Sequence, residues 1–450
     1  MMKKTIIITS FQPIISRNIL STEILDILVA NKIQVVIAMP DFKKDYYEKT
    51  FGKPGVIIEG VTTGKPSKTF FGLFFKRLFR LMLRTESIII RERYQIWSMR
   101  KNWRTVLFVY ITQNIGRLKF ALPFFRWLDY HLTPHYFFNE VFNKYQPALI
   151  FATDVQNEND ICFVREAKER KIPVVGMIRS WDNLTIHSIL QVIPDRLLVW
   201  NSVLKNEAIR YSGVPENKIF IVGIPHYDRY IKSKKIPRNE FFKKIGANPD
   251  KKLIFYAPIG DMYQHENDTD QLVIEMLAKR DENIFVRFPP NDRVSCLDNF
   301  SPPPLMFLDR PGMAYDKKIT GNRDVTREDD DMLINGLYWS NLIITGPSTI
   351  AIEAALFDKP IIMVNLHRKP KDGLLGVYSY GYDHLGYILR SGGVRKVDEV
   401  DDFTNWINRY LTDPSLDKEG RTRIVKEQCG GKSDAKASER VAQELLEKLK

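Results

Sequence analysis

The chain has 450 residues, of which 44% are hydrophobic and 27% charged, and its formal net charge is +13. This length is that of two or three domains at roughly 100–200 residues each, and the composition excludes disordered, collagen-like and coiled-coil proteins. The three cysteines lie far apart in the sequence, which excludes a disulfide scaffold and a cysteine-based zinc site.

The first residues, Met1 to Lys4, lead directly into an apolar run that is too short for a signal peptide. No stretch of about 18 uncharged apolar residues follows anywhere in the chain. We therefore expect a cytoplasmic protein.

The positive charge is concentrated in one segment. Residues 61–135 contain 14 Lys and Arg against three Asp and Glu, and they also contain 15 Phe, Trp and Tyr. Because this segment is both basic and aromatic, unlike the rest of the chain, we consider its function separately below.

The first part of the chain alternates between short apolar strands and helices. The predicted strands are 5–9, 35–37, 56–58, 148–151, 173–178, 197–200 and 219–222, and the predicted helices include 18–31, 161–170 and 202–211. This alternation predicts a parallel sheet covered by helices on both faces.

A second series of the same kind begins after the charged connection 230–235. Its predicted strands are 253–256, 284–286, 342–345 and 361–364, its helices include 271–280 and 330–338, and a last charged helix spans 435–449. We therefore predict an α/β protein with two doubly wound, Rossmann-like domains, residues 1–228 and 229–450, the second of which includes the last helix. Ligands of such sheets bind beyond the carboxyl ends of the strands, so two domains that face each other would form a binding cleft.

The residues after the predicted strand 342–345 have the pattern of an anion-binding turn. Gly346-Pro347 turns the chain, and Ser348 and Thr349 stand where a short helix begins. A helix start offers unpaired N–H groups and the positive end of the helix dipole, which suit a diphosphate. The alternative is that the two hydroxyls only cap the helix.

Glu353 favours a ligand over a simple cap. It is the only charged side chain in a helix of Ile, Ala, Leu and Phe, and it does not stand three residues after either hydroxyl, as a capping box requires. A buried carboxylate without a partner costs roughly several kcal/mol, and the two hydroxyls of a ribose would supply a partner.

Residues 346–353, followed by Lys359-Pro360, resemble the donor-nucleotide motif of GT-B glycosyltransferases. They are also similar to the related CDP-glycerol (polyol-phosphate) transferases and to non-hydrolysing UDP-GlcNAc 2-epimerases. Further segments that resemble enzymes of bacterial surface-carbohydrate biosynthesis occur in the same order, at 179–184, 223–228, 256–259 and 432–440. The resemblance implies a GT-B-like fold and a nucleotide-linked donor.

The same resemblance implies roles for individual residues. Ser348 and Thr349 would hold the donor diphosphate, Glu353 would hold the ribose, and the turn that ends at Gly260 would face the same diphosphate as Gly346. The chain departs from the polyol-phosphate transferases at 286–290, where no histidine precedes the first proline. This departure favours sugar transfer over polyol-phosphate transfer.

A sugar acceptor must lose a hydroxyl proton as it attacks, so a carboxylate or histidine must reach it. Asp182 is the first candidate and His187 the second, in a loop after a predicted strand, where α/β domains place functional side chains. We assign catalytic roles to these two and to Arg179, and acceptor binding to Asn183 and to Asp154. The alternative is that Asp182-Asn183 only forms an Asx turn.

The leaving diphosphate needs positive charge, which we expect from a helix dipole and from Arg287 or Arg179. Asp329-Asp330-Asp331 contains an Asp-x-Asp pattern, but it precedes an apolar helix, and acids favour the start of a helix. We expect no metal and no cofactor, with the nucleotide sugar as co-substrate. His265 is a further donor-side candidate.

Two hypotheses fit the basic aromatic segment. From Phe70 to Arg84, the cations recur at helical spacing on one side of a predicted helix, and apolar residues fill its other positions. A helix that lies on an anionic membrane has this arrangement. The alternative is that the aromatic side chains pack on the domain core and the cations are solvated. Nucleic acid is not an expected partner, because no nucleic-acid-binding signature occurs.

These observations predict a glycosyltransferase that moves a sugar from a nucleotide-diphosphate donor to a carbohydrate or lipid-linked acceptor. Its expected role is the synthesis of a bacterial surface polysaccharide, such as a capsule, or of a glycolipid, at the inner face of the plasma membrane. The alternatives are a polyol-phosphate transferase or sugar-nucleotide 2-epimerase, and a non-catalytic membrane-associated nucleotide-binding protein. An epimerase needs no macromolecular acceptor, so a membrane-facing segment favours transfer.

Overall fold

The computed structural model describes residues 4–65, 68–98, 103–116, 118, 120–262, 268–315, 323–368, 377–431 and 434–450. The chain divides into two compact units, Met1–Ile231 with Lys432–Lys450, and Lys232–Gly431. Each unit contains one large sheet.

The first sheet has seven strands: β1 (Thr5–Thr9), β2 (Gln34–Pro40), β3 (Val56–Val61), β4 (Leu149–Ala152), β5 (Val174–Met177), β6 (Arg196–Val199) and β7 (Ile219–Ile221). Their order is β3-β2-β1-β4-β5-β6-β7, and every neighbouring pair is parallel. All residues of β1 and β4 are buried, because helices cover both faces of a sheet of this kind.

The helices of the first unit fill the connections. They are α1 (Pro13–Ile15), α2 (Ile24–Ala30), α3 (Lys44–Phe51), α4 (Phe70–Met82), α5 (Glu86–Ser98), α6 (Trp103–Ile115), α7 (Ala121–Leu132), α8 (Asn139–Tyr145), α9 (Glu158–Glu169), α10 (Asn183–Ile186), α11 (Ser202–Ser212) and α12 (Tyr227–Lys232). A π-helical turn, Ser16–Leu20, follows α1.

The second unit repeats the plan with a six-stranded parallel sheet and a small antiparallel pair. Its strands are β8 (Leu253–Ala257), β9 (Asn283–Arg287), β10 (Met306–Asp309), β11 (Met313–Ala314), β12 (Arg323–Asp324), β13 (Leu342–Thr345), β14 (Ile361–Val364) and β15 (Arg395–Val397). The large sheet has the order β10-β9-β8-β13-β14-β15. The remaining helices are α13 (Arg238–Ile245), α14 (Asp268–Leu277), α15 (Arg327–Trp339), α16 (Ile350–Leu356), α17 (Asp383–Arg390), α18 (Val400–Thr412), α19 (Lys418–Gln428) and α20 (Ala437–Lys448).

The two parallel sheets with helices between their strands confirm the predicted α/β class with two Rossmann-like sheets. The last helix, however, was assigned to the wrong domain. Helix α20 belongs to the first unit and packs against α2 and β4. Asp228 accepts hydrogen bonds from the N–H groups of Ala437 (3.0 Å) and Ser438 (2.7 Å), so its carboxylate satisfies the start of this helix. The order of the elements in the sequence could not reveal this contact, because α20 follows the second unit in the sequence but belongs to the first unit.

Each sheet has one position where the chain order reverses. In the first sheet the chain proceeds from β1 to β2 and β3 on one side, then continues with β4 on the other side; in the second sheet the same reversal separates β8 from β13. Ligands of open α/β sheets bind beyond the carboxyl ends of the strands at such a switch point. The loops after β1, β4, β8 and β13 are therefore the first places to look for a site.

The basic aromatic segment forms α4 to α7. Phe75, Leu78, Phe79 and Met82 of α4 pack in a cluster with Ile88, Ala121 and Ile189, which agrees with the hypothesis of core packing for these two aromatic side chains. Eight other aromatic side chains in the described part of the segment are exposed, including Phe70 (76%) and Trp103 (68%). Among the described residues, no helix has the length and hydropathy needed to cross a bilayer.

Candidate functional site

The turn after β13 stands at the switch point of the second sheet. Gly346 is buried, and a Cβ placed on it would lie 2.3 Å from Cγ1 of Ile259. Ile259 belongs to the turn after β8, the strand that pairs with β13. Only glycine allows the two turns to approach this closely, so the structure brings together the two segments that the sequence predicted to face one diphosphate.

The two hydroxyls of this turn differ in their contacts. Ser348 Oγ accepts a hydrogen bond of 3.2 Å from the N–H of Ile350, so this side chain caps α16, as the alternative interpretation held. Thr349 directly precedes α16 but makes no capping bond with its side chain. A capping hydroxyl still has a proton to donate, so neither residue is excluded from contact with an anion.

Thr345 was missed in the sequence. Its side-chain hydroxyl is fully buried at the end of β13, and it has no hydrogen-bond partner in the part of the chain that is described. A buried hydroxyl without a partner costs about 1–3 kcal/mol. The signal was weak because a threonine at the end of a strand is common.

Glu353 is buried as predicted, with 1% exposure, and it lies in the first turn of α16. It has an interaction partner within the protein. Burial of this carboxylate therefore does not by itself require a ribose, and its contact with the nucleotide stays a prediction.

Gly260 has a backbone conformation that favours glycine, with φ of +84°. The N–H groups of Ile259 and Gly260 donate to the Asp270 carboxylate at 2.9 and 3.0 Å, and Tyr256 donates to it as well. These two amides are therefore already occupied, so they are unsuited to the diphosphate contact that the resemblance implied. His265 lies outside the described residues.

Arg287 ends β9 and is 6% exposed. Its guanidinium is ion-paired with Asp309 and donates a 2.7 Å hydrogen bond to the carbonyl of Asp329. The positive charge that was expected to face a leaving group is thus compensated inside the protein. Arg287 ties β9 to β10 and to α15.

The aspartate run starts α15, as predicted. Thr326 and Asp329 form a capping box: the Thr326 hydroxyl accepts from the Asp329 N–H at 3.1 Å, and the Asp329 carboxylate accepts from the Thr326 N–H at 3.0 Å. Among the described residues, no group of three His, Cys, Asp or Glu side chains has the arrangement of a metal site.

In the first unit, three of the predicted residues come together beyond β4 and β5. Arg179 Nε donates a 2.8 Å hydrogen bond to Asp154 Oδ2, and Arg179 Nη2 lies 3.4 Å from His187 Nε2. Asp182 is close enough to His187 to affect its charge. Four side chains that the sequence proposed separately therefore form one cluster.

The charges of this cluster set the state of the histidine. Burial lowers the pKa of His187, and the Asp182 carboxylate opposes this by favouring the charged ring, whereas the Arg179 cation adds to the lowering. A lowered pKa leaves the imidazole neutral at pH 7, and a neutral imidazole can accept a proton.

Asn183 is the most unusual residue of the group. It is 1% exposed, and neither its side-chain oxygen nor its side-chain nitrogen has a hydrogen-bond partner in the described parts of the chain. Its backbone carbonyl accepts from Gln156 at 3.3 Å. A buried amide needs partners, so this side chain is ready for a polar ligand or water.

Three further buried groups near Arg179 were not singled out in the sequence as site residues. The atoms Asn18 Oδ1, Trp200 Nε1 and His226 Nδ1 lack hydrogen-bond partners among the described residues, and with Arg179 they line one small cavity. Burial lowers the pKa of His226 well below its usual value. These residues come from separate segments, so only the fold could join them.

Solved structures of a UDP-GlcNAc 2-epimerase and of two glycosyltransferases are similar to this chain over almost all of its residues. A UDP-GlcNAc 2-epimerase from Neisseria meningitidis bound to UDP-GlcNAc superposes with a TM-score of 0.57 at 13% identity, covering 98% of this chain and 100% of that one. The glycotransferase of kitacinnamycin gives 0.53 at 14% identity, with 100% of both chains covered. A glycosyltransferase from Rickettsia africae gives 0.50 at 10% identity, with 99% of both covered.

The fold is GT-B-like. Two of the three groups that the sequence resembles, glycosyltransferases and UDP-GlcNAc 2-epimerases, occur among these structural neighbours. At these identities the likeness is one of fold. No protein-family model and no curated protein matches the sequence.

In this GT-B-like chain, each unit carries one candidate group at the carboxyl ends of its strands. The second unit has the turn 345–349 with Glu353, and the first unit has the cluster of Asp154, Arg179 and His187.

Proposed function

We propose that the protein is a metal-independent glycosyltransferase that moves a sugar from a nucleotide-diphosphate donor to a carbohydrate or lipid-linked acceptor. The observation that carries this proposal is the position of the turn 346–349. It lies at the switch point of the second sheet, and Gly346 packs directly on the turn after β8. The neighbours with this fold include glycosyltransferases and an epimerase bound to UDP-GlcNAc.

The donor would bind to the second unit. Its diphosphate would lie against the hydroxyls of Ser348 and Thr349, with Thr345 buried beneath them, and its ribose would contact Glu353. Because Gly260 and Arg287 are engaged by Asp270 and Asp309, these two would support the site rather than touch the diphosphate.

The acceptor would bind to the first unit. His187 would take the proton from its attacking hydroxyl, since burial keeps the imidazole neutral. Asp182 would stabilise the imidazolium that results, because its carboxylate favours the charged ring. Arg179, held by Asp154, would orient His187 through the 3.4 Å contact with Nε2, and the acceptor hydroxyl would replace this contact so that the Nε2 lone pair takes the proton. Asn183 would donate hydrogen bonds to the sugar and accept hydrogen bonds from it.

A sugar-nucleotide 2-epimerase is the second candidate, because an enzyme of that kind is among the structural neighbours. The two activities differ in their need for an acceptor.

We would incubate the protein with UDP-, GDP- and CDP-linked sugars, with and without lipid-linked saccharides extracted from bacterial membranes. Nucleoside diphosphate release that depends on the extract supports transfer, whereas interconversion of the sugar nucleotide without extract shows epimerisation. His187→Ala is the matched variant, and it should reduce the rate of release about 10²–10⁴-fold.

We also propose that the protein works at the inner face of the plasma membrane, bound to anionic lipid. Helix α6 presents an apolar stripe at helical spacing to solvent: Trp103, Val106, Leu107, Tyr110 and Ile111. Soluble helices normally bury such a stripe, and aromatic and basic side chains together favour the interface of an anionic bilayer. Flotation with vesicles tests this: binding that needs phosphatidylglycerol and is lost on Trp103→Ser with Tyr110→Ser supports the proposal, and equal flotation with neutral vesicles contradicts it.

A further inference from the structure

The first unit contains a second, larger cavity, which adjoins the cluster at its strand ends through His187. It has a volume of about 540 Å³ and lies between α4, α5, α9 and the loop that follows α10. This volume is in the range of small-molecule sites, about 300–1,000 Å³. Five cationic side chains line it, whereas one acid does: Lys76, Arg77, Arg80, Arg91 and Arg165 against Glu158.

Three of these cations have a carboxylate partner. Lys76 pairs with Glu158 at 3.0 Å, Arg80 pairs with Glu92 at 3.2 Å, and Arg165 pairs with the fully buried Asp129. These pairs fix the walls of the cavity.

The other two cations have no carboxylate partner in the described parts of the chain. Arg77 lies 5.1 Å from the centre of the Phe108 ring, and Arg91 Nη1 donates to the carbonyl of Ile186 at 3.3 Å. The cavity therefore keeps positive charge that no carboxylate among the described residues neutralises.

Buried N–H groups in the same walls also lack partners. The Nε atoms of Arg80 and Arg165 are buried without a hydrogen-bond acceptor among the described residues, and Arg165 is 1% exposed. Burial lowers the pKa of Arg80, which means that its charge is poorly solvated. An anion with several oxygen atoms would compensate the positive charge of these walls, since guanidinium groups bind phosphate oxygens in pairs.

An apolar surface adjoins the mouth of the cavity. Leu73 lines the cavity and is 54% exposed, and Phe70 and Phe74 on the same helix are 76% and 37% exposed. A ligand with a charged head and an apolar tail would cover both surfaces.

We propose that this cavity binds the phosphoryl group of an amphiphile, the diphosphate of a lipid-linked acceptor, with the lipid chain lying along Phe70, Leu73 and Phe74. This inference rests on the proposed transferase function, because it describes how the acceptor is held. His187 lines the same cavity, so a sugar attached to the diphosphate would start from beside the proposed base.

Calorimetric titration at 150 mM NaCl, with a saturating nucleotide present to occupy the donor site, tests the proposal. The probes are inorganic diphosphate, farnesyl diphosphate and phosphatidylglycerol vesicles. We expect farnesyl diphosphate to bind at least tenfold more tightly than inorganic diphosphate. Arg77→Gln and Arg91→Gln should each weaken its binding about tenfold, and Arg93→Gln, an exposed cation of α5, is the matched control that should leave it unchanged.

The outcomes separate the sources of the phosphate. Equal binding of the inorganic and farnesyl forms would overturn the lipid part of the proposal, and loss of vesicle binding alone in the two arginine variants would make the ligand a phospholipid head group. If Arg93→Gln weakens binding as much as Arg91→Gln, the attraction is not specific and the proposal fails.

Ser188→Asp places a negative charge in the wall of the cavity and should also weaken binding about tenfold, which provides a test if an arginine variant does not fold. Binding of farnesyl diphosphate by a protein that shows no turnover would contradict the transferase proposal. Turnover by a protein that does not bind farnesyl diphosphate would contradict the proposal for this cavity.

Discussion

Arg179 Nε donates a 2.8 Å hydrogen bond to Oδ2 of Asp154, which joins the loops that follow β4 and β5. The Asp154 side chain is 4% exposed and that of Arg179 is 18% exposed. A buried carboxylate held in this way fixes the guanidinium, and the guanidinium in turn lies 3.4 Å from the ring of His187. The pair therefore orients the proposed base rather than acting as a base itself.

Replacement of Asp154 tests this positioning role. Asp154→Asn should reduce the free energy of unfolding by about 1–3 kcal/mol, since a charged hydrogen bond of a buried group is lost. Asp26→Asn, which breaks the exposed pair with Lys53, is the control and should cost less than about 1 kcal/mol. Urea denaturation measures both, and equal small losses would show that the Arg179 pair does not organise the cluster.

The pH dependence of turnover tests His187. Because burial lowers the pKa of His187, kcat/KM should fall on the acid side only below the ordinary histidine value of about 6.5. His187→Ala should remove that acid limb and reduce the rate by about 10²–10⁴. Asp182→Asn should move the limb to still lower pH, because the Asp182 carboxylate raises the pKa of the ring. An acid limb that stays in place in Asp182→Asn would contradict the proposed pairing.

His226 should make stability depend on pH. Burial lowers the pKa of His226 well below its usual value, so the unfolded chain binds a proton below about pH 6.5 that the folded chain does not bind. This difference in proton binding is absent at high pH, and it destabilises the folded state relative to the unfolded state as the pH falls. His226→Gln should therefore lose less stability than the native protein between pH 7.5 and 5.5, as measured by urea denaturation. The same pH slope in both proteins would show that His226 is protonated in the folded state.

The close approach of Gly346 to Ile259 can be tested with a double-mutant cycle. Gly346→Ala forces a Cβ against Ile259 and should weaken nucleotide binding at least tenfold, with about 1–3 kcal/mol of lost stability from overpacking. Ile259→Ala removes the atoms that clash, so the double variant should recover most of the binding. If Ile259→Ala does not restore binding to Gly346→Ala, the turn does not depend on this contact.

The sequence predicted all seven strands of the first sheet and four of the six strands of the second, because strand and helix periods are local properties; the edge strands β10 and β15 were not predicted. Runs such as Ile6-Ile7-Ile8 and the capping box at Thr326 carry their structure within a few residues. Domain membership of α20 was not predicted, because it depends on a contact between Asp228 and residues 437–438, about 200 positions apart.

In the candidate site, too, the local features were predicted and the contacts between distant residues were not. The sequence identified Asp154, Arg179, Asp182 and His187 one by one from their places after strands, and the fold brings them together. It could not show that Arg287 is neutralised by Asp309 or that Asp270 occupies the amides of the turn at Gly260. Such partners come from other strands and helices, and single-sequence patterns carry no information on them.

The proposed function requires the second unit to bind a nucleoside diphosphate at residues 345–353. Calorimetric titration of UDP, GDP, CDP and CMP into the native protein and into Glu353→Gln measures this binding, with His187→Ala as a control in the other unit. We predict that one nucleoside diphosphate binds the native protein and the control equally, and binds Glu353→Gln at least tenfold more weakly. Absence of binding by all four nucleotides, or equal binding by Glu353→Gln, would contradict the proposed function.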